Sequence, residues 1–111
     1  MKLTELVTTC YENSGAKGWH DKKRSPLEFH ALFMSEIAEA LEEVRNKKSP
    51  LYEVQDENGF MQPRGEAVEL ADVIIRIADY FGYKKWDLNT AIKKKLKYNM
   101  TRGYREGNKE Y

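Results

Sequence analysis

Four acidic residues in two pairs are the strongest chemical signal in this sequence. Glu36 and Glu39 form the first pair, and Glu69 and Asp72 form the second. The acids of each pair are three positions apart, which places both on one face of a helix. Each pair stands within an apolar run, so the sequence predicts acids that lie beside a core rather than on a fully solvated surface.

Four carboxylates brought together repel one another, and a hard cation with oxygen ligands relieves that repulsion. The sequence therefore predicts a divalent-cation site, with Mg²⁺ as the first candidate and Mn²⁺ as a substitute. Taken alone, Glu36 and Glu39 read as solvated helix charges. The second pair favours a metal site because it lies on a helix that is otherwise apolar nearly all round.

A cationic group near the end of the chain adds a second kind of chemistry. Lys95, Asn99 and Arg102 fall on or next to the inner face of their helix, where a plain core would carry apolar residues. Cations and an amide beside a metal site can bind phosphate oxygens, although an ordinary exposed face is the alternative. Trp19 can stack on a base at the pocket mouth or anchor its loop onto the core.

Four helices are expected to position these residues. Ser25 is the predicted N-cap of the second helix, with Pro26 at its first position and Glu28 completing a capping box. Gly82 is predicted to end the third helix as a C′ residue, and Asp87 is the predicted N-cap of the fourth helix. Short connections favour an antiparallel four-helix bundle of the all-α class. The predicted helices span residues 2–13, 26–46, 65–81 and 87–102.

Two features of this bundle extend the prediction. The segment from residue 49 to 64 is a loop by composition, in which a short hairpin can form around Asn58 and Gly59. The third helix is apolar over more than half of its circumference, which predicts that a partner subunit covers part of it. An apolar stripe is also predicted on the second helix, formed by Phe29, Phe33, Ile37, Leu41 and Val44.

Length and composition set the wider frame. The 111 residues correspond to one domain, 1–111, with a polar tail from about residue 103. A net charge of +1 argues against a nucleic-acid partner. Cys10 is the single cysteine, which favours a reducing compartment. No apolar run approaches the roughly 20 residues of a membrane helix, and the N-terminus lacks a signal-peptide core, so a cytoplasmic protein without membrane contact is expected.

The motifs together resemble a known family. The pattern ExxE…ExxD at Glu36, Glu39, Glu69 and Asp72, the run ELADVIIRIADYFG from residue 69 and the closing run KLKYNMTRGYREGNK from residue 95 are similar to the MazG-like all-α nucleoside triphosphate pyrophosphatases. The resemblance covers most of the chain from about Trp19 onward. It implies a MazG-type helical bundle whose core is completed in an oligomer.

The resemblance also implies an activity. Such enzymes hydrolyse nucleoside triphosphates between the α and β phosphates, which releases a monophosphate and pyrophosphate, and a role in cleaning the nucleotide pool would follow. Carried over, Glu36, Glu39, Glu69 and Asp72 would hold magnesium. Lys95, Asn99 and Arg102 would contact phosphates, and the protein would work as a homodimer or homotetramer.

Three departures from the family pattern leave other functions open. Ser35 stands where an additional Glu is common, the linker between Glu39 and Glu69 is longer than usual, and the tail has Gly103 and Glu106 in place of proline and histidine. A bundle that binds a nucleotide without hydrolysing it is the main alternative. A di-iron bundle would need a Glu-x-x-His pair, which the two histidines do not complete.

Overall fold

The computed structural model describes residues 1–103, so the predicted tail lies outside the described residues apart from Gly103. Within these residues the chain is mostly helical, which is consistent with the expected helical class, and it carries a small two-stranded antiparallel sheet. The elements in order are α1 (Leu3–Ala16), α2 (Pro26–Arg45), β1 (Tyr52–Gln55), β2 (Met61–Arg64), α3 (Glu66–Lys84) and α4 (Leu88–Thr101).

The predicted start of α2 is confirmed. The backbone N–H of Glu28 donates to Ser25 Oγ at 3.2 Å, and the backbone N–H of Ser25 donates to Glu28 Oε1 at 3.1 Å. This reciprocal capping box satisfies two helix-end donors, and Pro26 fills the first helical position. The start of α2 is therefore fixed by residues that are neighbours in sequence.

Helix α3 lies at the centre, with α2 on one side and α1 on the other. Phe29 of α2 packs against Tyr83 and Tyr80 of α3, while Glu36, further along α2, meets Arg76. Since partner numbers on α3 fall as those on α2 rise, the two helices are antiparallel. The same holds for α1, in which Ser14 meets Asp79 and Tyr11 lies against Gly82.

Two predicted helix ends are wrong for one common reason, the packing of α1 on α3. Helix α1 continues to Ala16 because Ser14 Oγ donates to Asp79 Oδ1 at 2.6 Å and so holds the last turn on α3. Gly82 lies inside α3, which continues to Lys84 and ends at Lys85 in the left-handed conformation. A Cβ at Gly82 would lie 2.6 Å from Tyr11 Cβ, so this glycine permits the close approach of the two helices.

A buried polar pair joins the loop after α1 to this layer. His20 Nε2 lies 2.8 Å from Asp79 Oδ1, and both side chains are about nine-tenths buried. The His20 ring also stacks on Tyr83 with the ring centroids 4.8 Å apart. These contacts hold the 17–25 loop against α3, a role that the sequence did not predict for His20.

The hairpin expected in the 49–64 segment is confirmed. Tyr52 pairs with Arg64, and the register continues to Gln55 opposite Met61. The turn is closed by Asp56, whose Oδ1 accepts from the backbone N–H groups of Asn58 and Phe60, both at 2.9 Å. The hairpin thus projects as a formed element between α2 and α3 rather than as an open loop.

Helix α4 does not complete a closed bundle in the single chain. Within residues 1–103 its main packing partner is α1, and none of its described residues is buried. Its start is the predicted one, since Asp87 Oδ1 accepts from the backbone N–H of Thr90 at 3.2 Å. The four-helix expectation is thus met in helix number, whereas α4 lies beside the α1–α3 layer instead of closing it.

Part of the predicted core stripe of α2 is exposed. Phe29 is buried and Phe33 is partly buried, but Ile37, Leu41 and Val44 are each about half exposed. Glu36 and Ala40 occupy the buried face of α2 instead. The exposed residues form what we call the apolar face, which comprises Met34, Ile37, Leu41 and Val44 of α2 with Leu70 and Ile74 of α3.

The apolar face extends along both α2 and α3. Its members recur every three or four positions on each helix, and in an antiparallel pair these two stripes emerge on the same side, opposite the acids.

The radius of gyration of 16.9 Å exceeds the roughly 13 Å expected for a compact domain of this length. Within the described residues, no helix is long and apolar enough to cross a bilayer.

Candidate metal centre

Two antiparallel helices bring three of the four predicted acids together. Glu36 lies on the buried face of α2, and Glu69 and Asp72 lie one turn apart on the facing side of α3. Each contributes a carboxylate oxygen, and these oxygens all lie within 4.8 Å of one another. Glu36, Glu69 and Asp72 are hereafter called the acid triad. The convergence that the sequence required of its two acid pairs is thus present in a single chain for these three.

An arginine neutralises part of this charge. Arg76 Nε donates to Glu36 Oε1 at 2.8 Å and lies 3.9 Å from Asp72 Oδ2. The side chain of Glu36 is only 9% exposed, and its second oxygen, Oε2, is buried without a hydrogen-bond partner among the described residues. A buried carboxylate oxygen with no donor is unfavourable, so it marks a position where a cation would be stabilising.

The environment of Asp72 also reflects this crowding. Burial raises the pKa of the Asp72 carboxyl, and the neighbouring Glu36 raises it further, because a protonated Asp72 can donate a hydrogen bond to Glu36 whereas an ionised Asp72 meets a like charge. Arg76 opposes these effects and lowers the pKa, but the net shift is upward. Two carboxylates that compete in this way are stabilised when a divalent cation lies between them.

Glu39 lies outside the acid triad but lines the same cleft. The cleft is open and has a volume of about 600 Å³, within the usual range for small-molecule sites. The acids of α2 and α3 form one wall, and the hairpin forms the other. Its lining residues are Glu36, Glu39, Glu42, Glu43, Asn46, Lys48, Tyr52, Gln62, Arg64, Glu69 and Asp72.

The hairpin is tied to the acidic wall by Tyr52. Its hydroxyl donates to the carboxylate of Glu43, with distances of 2.9 and 3.1 Å to the two oxygens. The hydrogen bond to Glu43 raises the pKa of Tyr52, because it stabilises the protonated phenol beside an anion. Sequence reasoning missed Tyr52, Gln62 and Arg64 as cleft residues. The hairpin predicted around Asn58 and Gly59 was the signal that could have indicated them, because it pairs the segment after α2 with the segment before α3.

Trp19 is near the triad but on its other side. Its ring lies beneath the guanidinium of Arg24 at 3.9 Å, and the guanidinium of Arg76 is 5.2 Å from the ring centroid. Trp19 and Asp72 also border a second groove, between α1 and α3. Trp19 therefore anchors its loop, as one reading of the sequence expected, and contacts the arginine that holds Glu36.

The three predicted phosphate-binding residues lie elsewhere in the single chain. Among residues 1–103, Lys95, Asn99 and Arg102 are not part of the cleft lining. Lys95 and Arg102 flank the ring of Tyr98 on α4, at 5.4 and 5.9 Å from its centroid. Because α4 packs mainly on α1, contact with the cleft would require a second chain. Their phosphate role stays a prediction.

The triad fits a hard divalent cation. Glu36, Glu69 and Asp72 would hold the cation through three carboxylate oxygens, and water or substrate oxygens would complete its coordination. The unpartnered Glu36 Oε2 is the observation that supports this fit, because exposed acids alone do not indicate a metal. Neither histidine joins this group, since His20 is engaged with Asp79 on the other side of α3.

Comparison with known proteins gives no match for this chain. No protein-family model matches it, and no curated protein or solved structure is significantly similar to it. The resemblance to the MazG-like group therefore stays a prediction from motifs.

Proposed function

We propose that this chain is a magnesium-dependent nucleoside triphosphate pyrophosphohydrolase that converts a triphosphate and water into a monophosphate and pyrophosphate. The observation that carries this proposal is the acid triad in one wall of an open cleft, where one buried carboxylate oxygen has no hydrogen-bond partner among the described residues. A cleft of about 600 Å³ can accept a nucleotide. The motif resemblance gives the reaction class.

The acids have two tasks in this proposal, cation binding and proton transfer. Glu36, Glu69 and Asp72 hold the cation, which when bound supplies charge neutralisation at the phosphate oxygens. Glu39, which lines the cleft outside the triad, accepts a proton from the attacking water in this proposal. Arg76 orients Glu36 through its hydrogen bond to Oε1 and lies beside Asp72 at the same time.

The proposal includes a homo-oligomer. Exposed apolar surface of this extent on two helices is typical of a protein–protein interface, and a second copy of the chain supplies an equivalent apolar face by two-fold symmetry. The Ile37→Glu and Ile74→Glu variants should shift the mass measured by light scattering from dimer or tetramer towards monomer. The matched control is Ala31→Glu, an exposed position of α2 outside the apolar face.

The direct test of function is product formation. The purified protein, incubated with Mg²⁺ and a panel of common and damaged nucleoside triphosphates, should release pyrophosphate and the corresponding monophosphate. Added chelator should abolish the release. If no triphosphate yields pyrophosphate while the protein is folded and binds Mg²⁺, the catalytic proposal is wrong.

A second candidate is a regulatory bundle that binds a nucleotide without hydrolysing it. The position of Lys95, Asn99 and Arg102 away from the cleft favours it, because the expected phosphate ligands do not reach the acids within one chain. In that case nucleotide with Mg²⁺ raises the thermal midpoint by mass action, yet no product forms. The two functions are therefore separated by measuring stabilisation and pyrophosphate release in one set of samples.

A further inference from the structure

The segment between α2 and α3 supplies positive charge to a cleft whose other wall is acidic. Among the described lining residues, the cations are Lys48 and Arg64, and both belong to the segment between α2 and α3. Six carboxylates line the same cleft. A polyphosphate that approached these carboxylates would be repelled wherever no cation faced it. We call Lys48 and Arg64 the hairpin-side cations. A phosphate group that lies beyond the reach of the metal requires them as its counter-charges.

The hairpin is fixed relative to the acids. The backbone N–H of Ala67, in the first turn of α3, donates to the Pro50 carbonyl at 3.0 Å. Gly65 has φ 115°, and a Cβ there would overlap the Pro50 carbonyl, so the neck of the hairpin packs directly on the start of α3. Together with the hydrogen bond from Tyr52 to Glu43, these contacts hold both strand ends in place.

The register places Arg64 on the cleft side. Tyr52 and Arg64 are directly paired, and Gln62 lies two positions from Arg64, so all three share one face of the ribbon. The Tyr52 hydroxyl lies within electrostatic range of both walls, because Arg64 lowers and Glu69 raises its pKa beside the larger effect of Glu43. Arg64 and Gln62 both line the cleft, on the same face of the ribbon as Tyr52.

Gln62 orients the guanidinium. Its Oε1 accepts from Nε and Nη2 of Arg64, at 3.2 and 3.0 Å. A guanidinium has five N–H donors in a rigid fork that matches phosphate oxygens in pairs. Because Gln62 already restrains one edge of the guanidinium, the Arg64 side chain loses less conformational entropy when it binds an oxyanion.

We propose that Arg64 and Lys48 bind the terminal phosphates of the substrate, the pair that leaves as pyrophosphate, while the acid triad holds the metal at the other side of the cleft. The proposal rests on the proposed function for the identity of the substrate. It assigns phosphate recognition to this chain's own hairpin segment instead of to α4, and it gives the long linker between the acid pairs a specific use.

The test compares two pairs of charge-removing variants in the intact protein. The first pair is Arg64→Ala and Lys48→Ala, and the second is Lys95→Ala and Arg102→Ala on α4. Calorimetric titration with inorganic pyrophosphate in excess Mg²⁺ measures phosphate binding without turnover. Each hairpin-side variant should weaken that binding by roughly 10- to 100-fold, the effect of losing a charged hydrogen bond. Arg64→Lys should recover part of the loss.

Two further readouts separate this role from a structural one. Mg²⁺ binding without pyrophosphate should be unchanged in Arg64→Ala, and KM for the triphosphate should rise more than kcat falls. If both hairpin-side variants bind pyrophosphate like the unaltered protein, or if the unaltered protein does not bind it at all, this inference is wrong. Release of pyrophosphate by the unaltered protein is scored independently, so failure of the proposed function is recognised separately.

Discussion

Arg76 of α3 and Glu36 of α2 form an ion pair 2.8 Å long that joins the two acid-bearing helices. The carboxylate is nearly buried, whereas the Arg76 side chain is 31% exposed and lies near the ring of Trp19. The other oxygen of Glu36, Oε2, is buried without a hydrogen-bond partner among the described residues, and Glu36 contributes one carboxylate oxygen to the acid triad. One side chain therefore connects the packing of α2 on α3 with the charge of the candidate metal centre.

Removing this arginine should destabilise the metal-free protein. Arg76→Ala leaves Glu36 buried without its counter-charge, and we expect a loss of about 1–3 kcal/mol in the free energy of unfolding, below the full range for buried pairs because Arg76 is partly exposed. Urea denaturation in the presence of chelator measures it. Added Mg²⁺ should narrow the difference between variant and unaltered protein, since the cation supplies the missing positive charge.

The matched control for Arg76 is Arg45→Ala, an exposed position at the end of α2. It should change stability by only a few tenths of a kcal/mol, as surface substitutions usually do. Equal stability of the two variants would mean that the Arg76–Glu36 pair contributes nothing to the fold.

Loss of one triad carboxylate should separate metal binding from folding. Glu69→Gln removes a charge from a crowded acidic cluster, so the metal-free protein should remain folded and become slightly more stable. Its Mg²⁺ affinity and pyrophosphate release should fall by at least roughly 100-fold, because loss of a direct ligand exceeds the 10- to 100-fold cost of an outer-shell change. Calorimetric titration with Mg²⁺ measures the first quantity.

The control for Glu69 is Glu66→Gln, one turn earlier on α3 and outside both the triad and the cleft lining. It should bind Mg²⁺ like the unaltered protein. A Glu69→Gln protein with unchanged Mg²⁺ affinity would contradict the assignment of this residue as a ligand.

The pH dependence of stability should carry the signature of Asp72. Burial and the Glu36 carboxylate raise the pKa of Asp72 in the folded chain, so the folded state holds its proton more tightly than the unfolded state does. Its contribution is therefore fully present below the unfolded pKa and is lost as the pH rises through the folded pKa. The Asp72→Asn variant has no such ionisation. In chelator, its Tm relative to that of the unaltered protein should therefore increase as the pH rises from the unfolded pKa of Asp72 through the folded pKa.

Excess Mg²⁺ should reverse this trend in the unaltered protein, because the cation binds the ionised carboxylates and is displaced by protons. Thermal melts at several pH values, with and without Mg²⁺, test both statements. Glu12→Gln, an exposed change on α1, provides the reference slope. If Asp72→Asn and Glu12→Gln give parallel profiles, Asp72 does not titrate as described.

Gly82 and Gly15 should respond oppositely to alanine. At Gly82 a Cβ would lie 2.6 Å from Tyr11 Cβ, so Gly82→Ala should force α1 and α3 apart. We expect this to lower the free energy of unfolding by about 1–3 kcal/mol. That loss outweighs the gain of roughly 1 kcal/mol in helix propensity that alanine brings. Gly15 has nothing within 4 Å of its added Cβ, and Gly15→Ala should stabilise α1 by about 0.5–1 kcal/mol. Chemical denaturation of both variants decides whether the contact or the propensity dominates at Gly82.

The sequence by itself determined features that depend on neighbouring residues. Ser25 and Glu28 form their capping box, Asp87 caps α4, and the hairpin forms around its predicted turn. Such features are readable because their partners lie within a few positions. The spacing of each acid pair likewise determined that both of its acids lie on one face of their helix. The sequence therefore predicted two acidic helix faces that could meet.

Only the tertiary structure decided which of these helix faces meet and what lies opposite them. Glu39 lies outside the triad, α4 packs on α1 away from the cleft, and Arg76 of α3 pairs with Glu36 of α2. These outcomes depend on the rotation and register of one helix against another, which are set by side-chain packing over the whole interface. Periodicity within a single helix carries no information about that packing.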